Sequence, residues 1–350
     1  MYRTIFPLIG LLISFQFNQA QSEQAFSLYG EEEPLKVELR FDFKKFVKEK
    51  FKDKYQNAEM TVYLKDGMVT HDTIRIKARG NFRRRYCSLP PIKLNFKKAE
   101  FSVDALNQLE KVKLVTTCRY QKDYQQYLYK EFLAYKLYNE LTPLSFRVRL
   151  VDLTFIDSEG KKKTFTQRGF IIEEIDALAR RFEGVEFEPP KIHSEQTDRK
   201  QMTLVAMYQY MIGNTDWAVG NLHNIKLIKT FTDGRDYIFS IPYDFDYSGL
   251  VNATYAIPNP QWGIENVRQR RYQGYQRSMD EFDTTRELFF DKKAILEGIV
   301  SDFPYLNERN RKEMAAYLDE FFATLRNDRL FRVQIVELAR EIPIQLRNNR

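Results

Sequence analysis

The sequence predicts an α+β protein in which a strand-rich first half precedes a helix-rich second half. Apolar and polar residues alternate in several segments between residues 35 and 172, which is typical of half-buried strands. Apolar residues recur at helical spacing in the last quarter of the chain. With 350 residues, of which 43% are hydrophobic and which include 28 Phe and 21 Tyr, the chain can bury one large core or two smaller ones.

The first twenty residues are typical of a secretory signal peptide. They contain Arg3, an apolar run from Ile5 to Phe15, and a polar stretch that ends at Ala20-Gln21. The run is too short to cross a bilayer comfortably, and no later stretch approaches about eighteen apolar residues. We therefore predict a signal peptide at 1–20 and a mature protein that is secreted, periplasmic or at the cell surface, without stable membrane insertion. The alternative interpretation is a membrane anchor.

Residues 21–172 are predicted to form a first domain, which consists mostly of strands and contains one helix. Asp157-Ser158-Glu159-Gly160 has the composition of a turn between the last two strands. The helix carries an apolar stripe and ends before Pro143. The predicted strands are 35–43, 60–64, 73–79, 111–115, 147–156 and 164–172, and the predicted helix is 124–141.

Residues 173–350 are predicted to form a second, mostly helical domain. A helix at 201–212 ends at Gly213. Asp233-Gly234 is a turn signal between two short strands, 222–228 and 237–241. Longer amphipathic stretches follow at 279–300, 308–325 and 331–342.

Two acids and one amide follow or flank elements of this second domain. The chain has Gly213-Asn214-Thr215-Asp216 after the helix, His223-Asn224 in one strand, and Tyr243-Asp244-Phe245-Asp246 after the other strand. A hairpin brings Asn224 near Asp244, and Asp246 would face the same side of an extended segment. Amide and carboxylate oxygens bind magnesium, and a further acid can accept the proton of a hydroxyl group. The pattern therefore predicts magnesium-dependent phosphoryl transfer.

Each of these residues also has an ordinary structural interpretation. Asn and Asp are common in turns and at helix caps, and we interpret Asp233 in that way. We interpret His223 as structural because no Ser or Cys nucleophile signature accompanies it. The agreement of spacing, order and flanking elements favours the functional interpretation of Asp216, Asn224 and Asp244 taken together.

These residues resemble a motif of the CotH kinase family, the spore coat protein H-like atypical kinases. Two upstream segments extend the resemblance: Arg79-Gly80-Asn81 with a partner strand that contains Lys93, and Gly169 to Asp176, which looks like the family's connection between lobes. The resemblance implies a two-lobed atypical protein-kinase-like fold. Its strand-rich N-lobe, 21–172, would bind nucleotide, and its helix-rich C-lobe, 173–350, would carry catalysis.

The resemblance also implies cofactors and a role for each candidate residue. ATP and Mg²⁺ (or Mn²⁺) are the expected cofactors, and Asp216 is the expected catalytic residue. By analogy with kinase architecture, Lys93 would contact the nucleotide phosphates and pair with Glu131 on the following helix. The expected metal ligands are Asn224, Asp244 and Asp246, and the expected nucleotide-binding residues are Arg79, Lys93, Glu131 and Glu173.

The expected activity is that of an exported kinase, which transfers the γ-phosphate of ATP to a hydroxyl acceptor. Protein Ser or Thr is the default acceptor that the resemblance implies, while a glycan or a small molecule fits the same chemistry. Two other classes remain open. One is a catalytically inactive structural or binding module at the cell surface. The other is a metal-dependent hydrolase that uses Asp244 and Asp246 on a phosphate ester.

The basic side chains are spread along the chain, and the formal net charge of +7 is modest for this length. Runs occur at Arg83-Arg84-Arg85, Lys161-Lys162-Lys163 and 268–271, but they are not part of a nucleic-acid-binding motif. We therefore predict no nucleic-acid partner. Arginines at a turn can each offer two donors to phosphate, so Arg79 or one of residues 83–85 is either a phosphate contact or a surface charge.

The chain has two cysteines, Cys87 and Cys118, and both fall in the first predicted domain. They lack the spacing of a metal site, and a total of three histidines argues against zinc. Export permits a disulfide between them. Two buried free thiols are the alternative.

Overall fold

A computed structural model of the protein describes residues 27–30, 33–119 and 121–347, apart from the side chain of Arg347. The predicted signal peptide at 1–20 lies outside these residues. Within the described ranges, no helix combines the length and the apolarity that crossing a membrane requires.

A closed, mixed β-barrel forms the first half of the structure. Its strands are β1 (Leu35–Phe41), β2 (Gln56–Tyr63), β3 (Val69–Ala78), β4 (Ile92–Asn95), β5 (Lys111–Val115), β6 (Val148–Asp157) and β7 (Phe165–Ile172). Around the barrel their order is β1, β2, β3, β4, β5, β7, β6. Neighbouring strands are antiparallel except for β1 and β6, whose parallel pairing closes the barrel.

Alternation along the strands fills the barrel with apolar side chains and places charged ones outside. Ile76, Leu94 and Val112 belong to the buried core. The residues that follow or precede them point outwards. Lys77, Lys93 and Lys113 stand opposite one another on β3, β4 and β5, and they therefore form a row on the outer face.

The predicted two-lobed atypical kinase-like fold is wrong, because the strands expected in an open N-lobe sheet form a closed barrel. Alternating apolar residues identify a strand and its buried face, but they carry no information about its neighbours. The parallel pairing of Leu35 with Val151 joins segments more than a hundred residues apart, which no local pattern reveals. The boundary between 172 and 173 stays a prediction; β7 ends at Ile172.

Helices lie between these strands and beside the barrel. The structure has α1 (Phe43–Glu49), α2 (Phe82–Tyr86), α3 (Asp104–Asn107) and α4 (Lys122–Leu141). The helix predicted at 124–141 is confirmed as α4. Side chains are buried on most of its circumference, because α4 packs both on β6 and β7 and on the long helix at residues 279–301.

Cys87 and Cys118 form a disulfide, so the predicted disulfide is confirmed and the two free thiols are not found. Cys87 directly follows α2, and Cys118 lies between β5 and α4. The bridge therefore ties the short helix α2 to the segment that leads into α4.

The second half combines a small sheet with helices. Its elements are α5 (Ile175–Arg181), β8 (Val185–Glu186), α6 (Arg199–Met211), β9 (Ile225–Thr232), β10 (Arg235–Pro242), α7 (Met279–Ser301), α8 (Glu308–Arg326), α9 (Asp328–Phe331) and α10 (Ile344–Arg347). The sheet order is β10, β9, β8, with antiparallel neighbours. Helix α7 packs against α4 and α8 and so joins the two halves.

The predicted hairpin is confirmed as β9 and β10. Asp233 and Gly234 connect the strands with φ of 51° and 76°, the positive values of a turn whose twist suits a two-residue hairpin. At the open end of the hairpin, Ile225 pairs with Pro242. Asn224 lies next to this last pair and Asp244 lies two residues beyond it, so the hairpin delivers both to one end of the sheet.

Candidate functional site

The loop after α6 and the open end of the hairpin bring Asp216 and Asn224 together. The side-chain amide of Asn224 donates to the backbone oxygen of Asp216 at 2.7 Å and to its Oδ2 at 3.0 Å. Nε2 of His223 lies 2.7 Å from Oδ1 of Asp216. Both carboxylate oxygens of Asp216 therefore have a partner, which fixes the orientation of the acid.

Asn224 and Asp244 both have a left-handed backbone conformation, with φ of 51° and 63°. The backbone N–H of Tyr243 donates to the carbonyl oxygen of Asn224 at 3.1 Å. The backbone N–H of Asp244 donates to the hydroxyl oxygen of Tyr135 at 2.8 Å. Asn and Asp tolerate this region better than other non-glycine residues, so both positions suit the residue types found there.

Glu131, Asp244 and Asp246 form an acidic cluster. One carboxylate oxygen from each lies within 4.8 Å of the others. Glu131 reaches the cluster from α4 and is 1% exposed, and Asp246 is 6% exposed. The carboxylates of Asp244 and Asp246 lie close together, as expected. The segment between them is not extended, because the positive φ of Asp244 turns the chain.

Arg83 on α2 lies between two members of the acidic cluster. Its Nη2 is 2.5 Å from Oε2 of Glu131 and 2.8 Å from Oδ2 of Asp246. Its Nε donates to the same Asp246 oxygen at 3.0 Å, and so does the hydroxyl of Tyr255, also at 3.0 Å. The acidic cluster thus contains three carboxyl groups and one arginine.

The predicted ion pair between Lys93 and Glu131 is wrong. Nζ of Lys93 lies 3.6 Å from Oε1 of Glu174, and Glu131 pairs with Arg83 instead. The reason is the conformation of the basic run at 83–85, which belongs to helix α2 and not to the turn expected from sequence. The helix places the guanidinium of Arg83 against α4, so the acid expected to bind a lysine already has a partner.

Burial and mutual repulsion change the acidity of this cluster. The pKa of Glu131 is raised to about 8, mainly by burial; Arg83 opposes the increase, and the charges of Asp246 and Asp244 add to it. Burial also raises the pKa of Asp244, with the charges of Asp246 and Asp216 adding to the effect. A cation at this position would relieve the excess of negative charge.

The acidic cluster offers atoms of the kind that Mg²⁺ or Mn²⁺ would bind. Asp244 and Asp246 offer carboxylate oxygens, which hard divalent cations prefer, whereas the side-chain amide of Asn224 contacts Asp216. Oε1 of Glu131 is buried and has no hydrogen-bond partner among the described residues. Because buried polar atoms are nearly always paired, an unpaired oxygen here is consistent with a site for a cation.

A basic cleft adjoins the acidic cluster, and it consists of Arg79, Lys93, Lys113 and Lys226. Nζ of Lys113 is 5.2 Å from the ring centroid of Tyr243, the residue that precedes Asp244. Arg79 is close enough to Asp244 and Lys113 to influence both pKa values. The three lysines line a cavity of about 200 Å³, and its lining also includes the acids Glu110, Glu174, Asp176 and Glu186.

The basic side chains repel one another when no anion is bound. Burial lowers the pKa of Lys113 to about 8; Glu174 opposes the decrease, while Arg79, Lys93 and Lys226 add to it. Lys93 and Lys113 stand directly opposite each other, an arrangement of like charges that destabilises a sheet. Acidic side chains already neutralise part of this charge, because Lys93 pairs with Glu174 and Lys226 pairs with Glu186 and Glu188.

Glu173, predicted to bind nucleotide, is surrounded by residues that pair with it inside the fold. It is fully buried. Its Oε1 lies 2.6 Å from Nη2 of Arg147, and its Oε2 lies 2.8 Å from Nη2 of Arg181. We therefore assign Glu173 the role of holding the end of β7 against α5.

Sequence analysis missed Lys113, Lys226 and Tyr135. Tyr135 is four residues after Glu131 in a helix, so the helical periodicity was a readable signal. Lys226 belongs to β9, but Asn224 precedes this strand and has a positive φ, so the period of a strand does not relate the two. The position of Lys113 beside Lys93 depends on the register between β4 and β5, and no local pattern supplies that register.

Comparison of the chain with models of protein families and with curated protein sequences finds no match. The resemblance to the CotH kinases therefore stays a prediction, which rests on the motifs quoted above.

Proposed function

We propose that the protein is a metal-dependent phosphotransferase, which transfers the γ-phosphate of ATP to a hydroxyl acceptor. The observation that carries this proposal is the position of the acidic cluster beside the basic cleft. A nucleotide triphosphate with its metal ion complements both, because the phosphate oxygens match the lysines and arginine and the cation matches the carboxylates.

Asp216 is the proposed proton acceptor. Its side chain is 35% exposed, and Asn224 and His223 orient both of its oxygens. The acceptor hydroxyl gives its proton to this carboxylate while its oxygen forms a bond to the γ-phosphorus, and the bond from that phosphorus to the bridging oxygen of ADP breaks. A positioned carboxylate is sufficient for this role, since the reaction demands little covalent work from the protein.

Asn224, Asp244 and Asp246 are the proposed ligands of Mg²⁺ or Mn²⁺. A bound divalent cation supplies neutralisation of the charge on the phosphate oxygens. Arg79, Lys93 and the other lysines of the basic cleft bind the phosphate chain and hold it beside the acids. This arrangement converts attack by the acceptor into a reaction between positioned groups.

We further propose that the enzyme acts outside the cytoplasm. The disulfide between Cys87 and Cys118 supports an oxidising compartment, in agreement with the signal peptide predicted at 1–20. The CotH resemblance makes protein Ser or Thr the first acceptor to test. A glycan and a small hydroxyl compound are the next candidates.

Incubation of the protein with γ-labelled ATP and Mg²⁺ or Mn²⁺ tests the proposal. We expect label on the protein itself or on a casein-like acceptor. Asp216→Asn should reduce the transfer about 100- to 10,000-fold, the usual contribution of a positioned base. Asp233→Asn is a matched control, because it makes the same chemical change at the hairpin turn, where Asn also tolerates the φ of 51°; it should retain full activity.

Two other outcomes would indicate different functions. Release of free phosphate without labelled acceptor would indicate a hydrolase. Metal-dependent ATP binding without turnover would indicate an inactive binding module. The observation that favours such a module is Arg83, which already neutralises part of the acidic cluster.

A further inference from the structure

We infer that Glu131 is a third carboxylate ligand of the divalent cation, and that Arg83 is an internal cation that binds the same carboxylates when no metal is present. We take Asp244 and Asp246 as metal ligands from the proposed function, on which this assignment rests. Glu131 belongs to α4, so the assignment connects the metal site to the helix that packs against the barrel.

The spacing of the three acids suits a single ion. One oxygen from each of Glu131, Asp244 and Asp246 lies within 4.8 Å of the others. Ligand oxygens on opposite sides of one ion are about 4.2 Å apart for Mg²⁺ and about 4.8 Å apart for Ca²⁺, and adjacent ligands are closer. The carboxylate oxygens themselves therefore need to move little to bind one cation.

The second observation is the unpaired oxygen of Glu131. The side chain is buried, and its Oε1 has no hydrogen-bond partner among the described residues, although Oε2 binds Arg83. A buried carboxylate oxygen without a donor is costly to keep. A metal ion bound by Glu131, Asp244 and Asp246 would give this oxygen a partner.

Arg83 and a metal ion compete for the same carboxylates. Nη2 of Arg83 is within 2.8 Å of both Glu131 and Asp246, and the guanidinium side chain is only 12% exposed. A divalent cation held between these two acids would have to share that space with a charged nitrogen. Binding of the metal therefore requires that Arg83 leaves at least one carboxylate, and the metal-free state is the one that Arg83 stabilises.

Titration calorimetry with MnCl₂, in the absence of nucleotide, tests both parts of the inference. Glu131→Gln should weaken Mn²⁺ binding at least about tenfold, the lower end of the loss seen even for residues that only support a ligand. Arg83→Met should strengthen it severalfold, because the competing cation is gone. Glu140→Gln on the same helix and Arg40→Met in an exposed pair with Glu59 are matched controls, and both should bind Mn²⁺ like the wild type.

Wild-type affinity in Glu131→Gln would overturn the assignment of this ligand. Unchanged or weaker binding by Arg83→Met would overturn the competition. Arg83→Lys covers the case in which Arg83→Met does not fold, because lysine keeps the charge but lacks the fork that reaches two carboxylates. We expect Arg83→Lys to bind Mn²⁺ more tightly than the wild type, and equal or weaker binding would also overturn the competition.

The same preparations separate this inference from the proposed function. Mn²⁺ affinities in the expected order, together with no transfer of label from ATP, would support the metal site and contradict the phosphotransferase. Label transfer together with an Mn²⁺ affinity that does not respond to Glu131→Gln would support the phosphotransferase and contradict Glu131 as a metal ligand.

Discussion

Glu281 and Glu131 both bind an arginine, but their surroundings give them opposite acidities. Hydrogen bonds from Arg199 lower the pKa of Glu281 to about 2, whereas burial raises the pKa of Glu131 to about 8. Glu281 belongs to a network in which two acids face two arginines, Glu195 and Glu281 against Arg199 and Arg277. Glu131 belongs to a cluster with three acids and one arginine.

The comparison separates charges that hold the fold from charges that remain available for a ligand. The balanced network joins the start of α6 to the start of α7, and Ser278 caps α7 beside it. The acidic cluster has three carboxyl groups for one arginine, whereas Lys93 and Lys226 of the basic cleft have acidic partners, Glu174 and Glu186. The excess of carboxyl groups distinguishes the acidic cluster from the structural ion pairs.

Breaking the balanced network should lower the free energy of unfolding more than neutralising an acid of the acidic cluster. Glu195→Gln leaves Arg277, which is 2% exposed, without its charged partner, and removal of one member of a buried pair costs about 3–5 kcal/mol. Urea denaturation at constant pH measures the loss in the free energy of unfolding. Glu308→Gln, in an exposed pair with Lys312, should cost at most about 0.5 kcal/mol. A loss below about 1 kcal/mol for Glu195→Gln would contradict the structural role.

The affinity of the basic cleft for ATP should depend on pH. In the proposed function, charged Lys113 attracts phosphate. Its pKa is lowered to about 8, mainly by burial; Glu174 opposes the decrease, and Arg79, Lys93 and Lys226 add to it. ATP affinity should therefore fall about tenfold as the pH rises from 7 to 9 and the lysine loses its proton. Calorimetric titration with ATP measures the fall. Lys113→Met should bind weakly at both pH values, and a fall as large as that of the wild type would show that another group causes it.

The same lysine predicts the opposite sign for the stability of the nucleotide-free protein. Its folded-state pKa, about 8, lies below the ordinary value of 10.5. The unfolded chain therefore binds more protons between these two pH values, and the contribution of Lys113 to stability increases with pH in that window. Lys113→Met should lose this increase, whereas Lys161→Met, at an exposed position, should keep it.

Neutralising an acid of the acidic cluster should change the free energy of unfolding little, and this is the smallest of the predicted effects. Asp244→Asn removes a buried charge that Asp246 repels, so the unfolding free energy should stay within about 1 kcal/mol of the wild-type value or rise above it. The stabilisation caused by Mn²⁺ should be lost at the same time. Thermal melts with and without MnCl₂ measure both quantities. A destabilisation as large as that of Glu195→Gln would place Asp244 with the structural acids.

Local patterns predicted the elements better than their arrangement. The turn at Asp233-Gly234 and the helix that became α4 follow from residue type and periodicity, which act over a few positions. The closure of the barrel depends on the pairing of β1 with β6, and Lys93 faces Lys113 through a register between strands. Such contacts are decided by packing of the whole chain, which explains why the kinase-like fold was wrong.

The candidate site was predicted only in part, because its local features could be predicted and its long-range contacts could not. Asp216 and Asn224 were found because the helix end and the hairpin that position them are local features. Glu131 was given the wrong partner, because the run at 83–85 forms a helix and its first arginine reaches α4. Whether Asp216 and its neighbours transfer phosphate stays a prediction.

The parallel contact between β1 and β6 has a consequence for biosynthesis. One edge of β1 stays without a partner until the segment Val148–Asp157 has been made, more than a hundred residues later. At about 5–20 residues per second this takes roughly 5–20 s on the ribosome. During that interval an apolar strand edge is open to pairing with other nascent chains, so this protein should depend on holdase chaperones until its sixth strand has emerged.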